Sequence, residues 1–157
     1  MRIEVGNPTI NWSGMKPAFD EKQIFLVEAG EREYIGMAYE EIVSIDISRQ
    51  AGLRRSQVIK SNEIGHRQAA TEVFRDTFQP HRHIDITDEY RLNVVYQRGN
   101  VKGEMKCING EIKNINQVLS PHIFDAHSIE MVLRMLPLEK GFSANLPAFH
   151  GAKNVEM

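Results

Sequence analysis

The sequence predicts a mainly β fold, a curved antiparallel meander forming a barrel or half-barrel, with one short helix at about residues 126–136 packed on or in it. Three observations predict it. Much of the chain alternates apolar and polar side chains with period two, as half-buried strands do. Turn residues interrupt that pattern at the spacing of hairpin-linked strands. One stretch, "FDAHSIEMVLRMLPLEKGF" at 124–142, changes to helical spacing. A chain of 157 residues fits one domain, expected at 21–150, behind an irregular lead-in over 1–20 and ahead of a frayed end over 151–157.

The lead-in carries Gly6, Pro8, Gly14 and Pro17, with Trp12 and Phe19 as anchors. "KQIFLVEAGE" (22–31) is a compact apolar run, the expected first strand. "YEEIVSIDIS" (39–48) sets Val43, Ile45 and Ile47 against Ser44, Asp46 and Ser48. "AGLRRSQVIKSNEIGHRQ" (51–68) holds a short polar strand between breaks, and "RQAATEVFRDTF" (67–78) is read as a strand that ends before Pro80. In "HRHIDIT", Ile84 and Ile86 face away from His83 and Asp85. "EYRLNVVYQ" places Tyr90, Leu92, Val94 and Tyr96 on one face. After a turn at "RGN", "VKGEMKC" puts Val101, Gly103, Met105 and Cys107 together. Asn109-Gly110 is a strong hairpin signal and predicts a type I′ turn, with positive φ at both residues. "EIKNINQVL" returns as the next strand.

In the helix, Asp125 is the expected N-cap, because its carboxylate can accept from backbone N–H groups of the first turn. Ile129, Val132, Leu133 and Leu136 form an apolar stripe that Met131 and Met135 widen, while Glu130 and Arg134 face water. Pro137 stops it. About three turns are not stable alone, so the helix must lie on the sheet. Phe142, Ala144 and Leu146 then alternate as a closing strand, with Pro147 near an edge.

Composition narrows function. Hydrophobic residues at 41% and charged residues at 25% allow a packed core. The 19 basic and 21 acidic residues are mixed, for a net charge of −2, and no basic stripe fits a phosphate backbone, so nucleic acid is not an expected partner. Cys107 is the single cysteine. No run reaches the roughly 18 apolar residues of a membrane span, and the N-terminus lacks a long apolar core of a signal peptide. The chain as it stands is expected to be soluble and cytoplasmic, or periplasmic or secreted where a leader has been removed.

The series "DTFQPHRHI", "YRLNVVYQRGNVKGEM" and "FDAHSIEMVLRMLPLEKGFSANLPAF" resembles an uncharacterised bacterial family of unknown function, grouped with lipoprotein-carrier-like (LolA/LolB-like) antiparallel half-barrels. The likeness covers about residues 70–150. It is most specific at the helix exit, Leu133, Arg134, Leu136, Pro137, Leu138 and Gly141. The resemblance implies a curved sheet wrapped around a helix and brings no catalytic residues. Members of the group are usually exported or lipid-anchored, and half-barrels of this shape include carriers of acyl chains.

Two clusters suggest chemistry. His81, His83 and Asp85 are placed on one strand face about 6 to 7 Å apart, and His122, Asp125 and His127 offer a second half, a donor set that suits zinc or iron. That face lies opposite Ile84 and Ile86 and is expected to be wet, so His81 and His83 are weak metal candidates and no cofactor is expected. Cys107 reads as a small buried apolar residue. Glu40, Glu41 and Asp46 read as solvated acids, and neither "NWSG" nor "SPH" has the setting of a nucleophile elbow. The apolar face holds Phe74, Tyr90, Leu92, Tyr96 and Met105, with Leu133 from the helix. It either fills the core or lines a cavity in which tyrosine hydroxyls orient an amphiphile. The function expected is therefore a non-enzymatic domain that binds an apolar or amphipathic small molecule. The alternatives are a structural domain that forms a homodimer through a sheet edge, and a metal-dependent enzyme using His81 and His83.

Overall fold

From residue 21 to residue 118 each strand hydrogen-bonds to the strand before it, so sequence order and spatial order coincide. The computed structural model describes residues 2–4, 21–29, 33–61, 65–120, 122–134, 136 and 143–151. Its main sheet has eight antiparallel strands: β2 (Glu21–Ala29), β3 (Glu33–Ile47), β4 (Gln50–Ser61), β5 (Gly65–Phe74), β6 (Pro80–Thr87), β7 (Tyr90–Gln97), β8 (Asn100–Cys107) and β9 (Ile112–Val118). The short strand β1 (Arg2–Glu4) precedes them in the chain. β2 and β9 are the two edges and are not paired with each other, so the sheet is an open half-barrel rather than a closed barrel.

Strand pairing sets a straight row across the inner face: Ile42, Arg55, Thr71, His83, Val94, Gly103 and Ile115, each opposite the next. A second row runs through Glu40, Gln57, Ala69, Asp85, Leu92, Met105 and Lys113. The polar residues gather on β3 to β6 (Glu40, Arg55, Gln57, Thr71, His83 and Asp85), and on β7 and β8 the rows carry Leu92, Val94, Gly103 and Met105. Because side chains alternate along a strand, the neighbouring rows face outward.

The inner face is covered by the segment after β9. It comprises β10 (Phe124–Asp125), a 3-10 turn (Ala126–Ser128) and α1 (Ile129–Leu133). The helix is shorter than its apolar periodicity suggests, a 3-10 turn running into five α-helical residues. Met131, Val132 and Leu136 are buried, Ile129 packs against them, and Leu133 turns outward, 38% exposed. Phe78 fills the same cluster from the β5–β6 loop at a positive φ of 55°, an unfavourable backbone that its full burial offsets. The apolar core is split in two. One cluster joins Ile42, Leu53, Val73, Phe78 and Phe124 to the helix, and the other joins Leu92, Val94, Tyr96, Val101, Met105, Ile115 and Phe149.

Several details differ from expectation. Among the described residues the closing segment adds no strand to the main sheet. It forms β11 (Ser143–Asn145), parallel to β1, and β12 (Ala148–Phe149), parallel to β10. At the β8–β9 hairpin only Gly110 has positive φ, 90°. Gly110 N–H donates to the Cys107 carbonyl at 3.0 Å and Cys107 N–H to that of Glu111 at 2.9 Å, a longer loop with glycine in the left-handed position instead of type I′. Residues 5–20 with Trp12 and Phe19, Gly30, Met135, the helix exit from Pro137 to Phe142, and 152–157 lie outside the described residues.

Gly103 occupies the inner row where β7 comes closest. A Cβ there would overlap the Asn93 carbonyl oxygen and stand 2.7 Å from Val94 Cα. Gly103→Ala is expected to lower stability by about 1–3 kcal/mol through overpacking against rigid backbone. Urea unfolding checks it, with the exposed neighbour Lys102→Ala near neutral.

Candidate functional site

Between the two apolar clusters the inner face carries a buried polar seam. Asp85 on β6 has no exposed surface. Arg67, from the adjacent β5, grips it with two parallel hydrogen bonds, Nε to Oδ1 at 2.9 Å and Nη2 to Oδ2 at 2.8 Å, and the Tyr90 hydroxyl donates to Oδ2 at 3.0 Å. The same Arg67 Nη2 lies 2.6 Å from His127 Nε2. A guanidinium only donates, so Nε2 accepts and the imidazole proton sits on Nδ1. Salt-bridging to Asp85 holds the Arg67 pKa above its ordinary value, against the opposing effect of burial, and Arg67 draws the Asp85 carboxyl below its ordinary value although burial pushes it up.

His83 lies beside this pair, its ring stacked on His127 at 4.5 Å and 10° between planes. Thr71 Oγ1 is 2.7 Å from His83 Nδ1 and donates to Asp125 Oδ1 at 3.4 Å. Its one proton goes to the carboxylate, so His83 donates to Thr71 from Nδ1. Asp125 also accepts from the Tyr96 hydroxyl and, at 2.9 Å, from His127 N–H, the cap read from the sequence. Burial pushes Asp125 up, opposed by those donors. Burial pushes His83 and His127 down to about 4, and for His127 the neighbouring His83 and Arg67 add to it. Burial and the adjacent carboxylates raise both hydroxyls, Tyr90 to about 12 and Tyr96 further.

At the β3–β4 end Arg55 is buried, with Nη2 at 2.6 Å from Glu40, Nη1 donating to the His127 carbonyl at 2.7 Å, and an ion pair to Glu130. Glu40 is therefore a buried ion-pair partner and not the solvated acid expected.

The expected site residues separate. The face of β6 holding His83 and Asp85 is inside and that holding Ile84 and Ile86 is partly exposed, the reverse of the wet face expected. His83, Asp85, Asp125 and His127 come together as the two suggested halves. His81 does not join them, since a register shift opposite Glu72/Val73 displaces it and its ring packs edge-on to Phe74 at 5.7 Å. Leu92 and Met105 are buried in the filled core, Tyr90 turns to Asp85, and Leu133 is exposed. Cys107 is half-buried on the same cluster. Sequence reasoning missed Arg67, Thr71, Arg55 and Phe78. Thr71 and Arg67 lie two and four residues from Val73 and Thr71 in turn on β5, a period-two signal for an inner face that the apolar residues alone did not reveal.

His83, Asp85 and His127 offer ligand atoms within 4.8 Å of one another. His127 Nε2 and both Asp85 oxygens already accept from Arg67, and His83 gives its Nδ1 proton to Thr71, so its Nε2 is the lone pair a cation would use. A cation could be held there only after the Arg67 guanidinium had moved away from Asp85.

At one end of the sheet, the β5–β6 loop, the β7–β8 turn and the segment after β9 enclose a cleft of about 370 Å³. Phe74, Pro80, Tyr96, Leu119 and Ile123 form its apolar wall, with Arg98, Asn100 and His122 around them. Phe74 and Tyr96 are the two expected ligand residues that reach it. His122 Nδ1 is buried with no hydrogen-bond partner among the described residues.

A family model described as a protein of unknown function (DUF3108) matches residues 35–157. No curated protein and no solved structure matches the chain. No helix among the described residues is long and apolar enough to cross a membrane.

Two outcomes follow from the seam. Arg67→Met leaves Asp85 buried without its counter-ion and is expected to cost about 3–5 kcal/mol, most of it recovered in the Arg67→Met, Asp85→Leu double variant; urea unfolding of the three proteins checks this. The second is pH dependence. His83 has its folded pKa below 6.5, so between pH 6.5 and about 4 the unfolded chain binds a proton that the folded chain refuses, and stability falls as pH drops through that window. The contribution is at most about 1.4 kcal/mol per pH unit. Asp125, raised in the folded state, acts with the opposite sign. The unfolding midpoint should therefore fall less steeply from pH 6.5 to 4 in His83→Gln than in the parent chain.

Proposed function

The chain belongs to this family of unknown function (DUF3108), and we propose that its domain is a non-enzymatic binding module taking a small amphipathic molecule at the open end of the half-barrel. The reading is carried by the cleft beside Tyr96, where an apolar wall meets His122, whose buried Nδ1 has no partner among the described residues. Leaving such a group unsatisfied costs about 1–3 kcal/mol, which a ligand oxygen reached by a small ring rotation would relieve. Arg98 is exposed at the rim, so the polar end of the molecule is acidic and its apolar body lies against Phe74, Leu119 and Ile123. Resemblance to half-barrel carriers supports the ligand class only as analogy of shape. The interior beneath the helix is a different matter, since Leu53, Val73, Phe78 and Phe124 pack there against Met131 and Val132.

A volume of about 370 Å³ lies at the small end of ligand sites. At roughly 0.3 kcal/mol per heavy atom, dodecanoate with about 14 such atoms would bind with a Kd on the order of 1 mM. Titration of the full chain with dodecanoate, followed by amide chemical shifts, is expected to saturate with the largest shifts around Phe74, Tyr96 and Ile123. Ile123→Trp, which fills the cleft, should abolish the shifts, and Arg98→Glu should weaken binding several-fold. Shifts that never saturate, or that persist in a folded Ile123→Trp protein, would overturn the reading.

A further inference from the structure

The β9 edge of the sheet carries a second, independent signal. Cys107 N–H donates to the Glu111 carbonyl at 2.9 Å and Leu119 N–H to the Gly99 carbonyl at 2.8 Å. In an antiparallel ladder, bonded residues alternate along a strand. Lys113, Ile115 and Gln117 therefore direct their backbone groups to β8, and Ile112, Asn114, Asn116 and Val118 direct theirs to the open edge. Among the described residues β9 pairs only with β8. These same four residues project on the outer face, where Ile112 is 57% and Val118 86% exposed.

The strand reads Ile-Lys-Asn-Ile-Asn-Gln-Val, which is close to symmetric about Ile115. Sheet edges are ordinarily protected by charge, proline or a bulge. The outer row of β9 has no charged residue and no proline, and its register with β8 is unbroken. We propose that β9 is a homodimerisation edge, pairing antiparallel with β9 of a second copy about a two-fold axis at Ile115.

In that register Ile112 faces the partner's Val118, and Asn114 faces the partner's Asn116, each as a hydrogen-bonded pair that uses the outward backbone groups. The central Ile115 pair is the non-bonded kind, and the side chain remains in its own core. The apolar ends meet apolar ends, and the amides meet amides. Lys113 falls opposite the partner's Gln117, so no like charges are opposed along the edge. Such a pairing is isologous and closes, giving a dimer with one continuous sheet and not a fibre. Strand pairing alone buries less than a standard interface, so the association is weak and depends on concentration.

Sedimentation equilibrium of the full chain, from micromolar to millimolar, is expected to show a monomer–dimer equilibrium. Asn116→Pro removes an outward N–H without touching the β8 ladder and should weaken dimerisation at least tenfold, with circular dichroism and Tm unchanged. Should that variant misfold, Ile112→Lys with Val118→Lys tests the same edge by setting lysines opposite one another. Register is read by mixing Asn114→Cys and Asn116→Cys proteins, both in a Cys107→Ser background. A disulfide should form faster in the mixture than in either protein alone. A monomer at every concentration, a dimer indifferent to both edge variants, or equal cross-linking in all samples would overturn the proposal.

Discussion

Asp125 is the group on which the rest of the arrangement depends. Its carboxylate is almost fully buried, and a carboxylate in such a place must be met by donors or remain protonated. The donors come from three parts of the chain: Tyr96 on β7, Thr71 on β5 and the backbone of His127 at the start of the helical segment. One side chain thus fixes where the helix begins, which way the chain enters it and which strands lie beneath. Five α-helical residues have no stability of their own. Arg55 supplies the second tie, bonded to the His127 carbonyl and paired with Glu130. Met131, Val132 and Leu136 then fill the space between two polar anchors.

The seam carries a cost as well as a role. Ion pairs such as Arg67–Asp85 and Arg55–Glu40 seldom stabilise a fold more than apolar residues of the same volume would. Their effect is on register. A slip of one residue in β6 would exchange His83 and Asp85 for outward neighbours and leave Arg67 without its carboxylate, and a slip in β5 would take the Thr71 hydroxyl from Asp125. Apolar side chains tolerate such a shift better than a bidentate guanidinium does. The seam also divides the core, so Leu53, Val73 and Phe78 pack with the helix while Leu92, Val101 and Met105 pack around Phe149.

Alternation made the strands legible, because period two needs no knowledge of partners. β7 and β8 face as the sequence implies: Leu92, Val94 and Tyr96 inside with Val101 and Met105. The same rule failed at β6, and for a definite reason. Alternation says which residues share a face but not which face is covered, and choosing the apolar side placed Ile84 and Ile86 inside. What decides the matter is register. His83 stands opposite Thr71 and Asp85 opposite Ala69, beneath a segment carrying Asp125 and His127. Those are contacts between residues far apart in the chain. "HRHID" and "HIFDAH" could be recognised as two halves of something, but Arg67, which pairs with Asp85 and bonds His127, lies in neither cluster and was found only through the pairing of β5 with β6. His81 was misplaced by a register shift that no periodicity anticipates. The helix start was legible through its cap. Its length was not, since an apolar stripe over four positions is shared by a 3-10 turn running into a single α turn.

A half-barrel can hold a ligand beneath its helix or at its open end, and the two differ in what must be broken. Admitting a molecule beneath the helix requires lifting Met131 and Val132 and separating Arg55 from Glu130 and the His127 carbonyl. It also takes donors away from a buried Asp125. Each buried charge left unpaired costs several kcal/mol, more than a ligand small enough to fit would return. At the open end the cleft already exists between the β7–β8 turn and Ile123, and none of the seam's ion pairs crosses it. Tyr96 belongs to both regions, its ring in the cleft wall and its hydroxyl on Asp125. The seam that closes the interior therefore also holds one wall of the cleft rigid, so a site at the rim needs no opening of the fold.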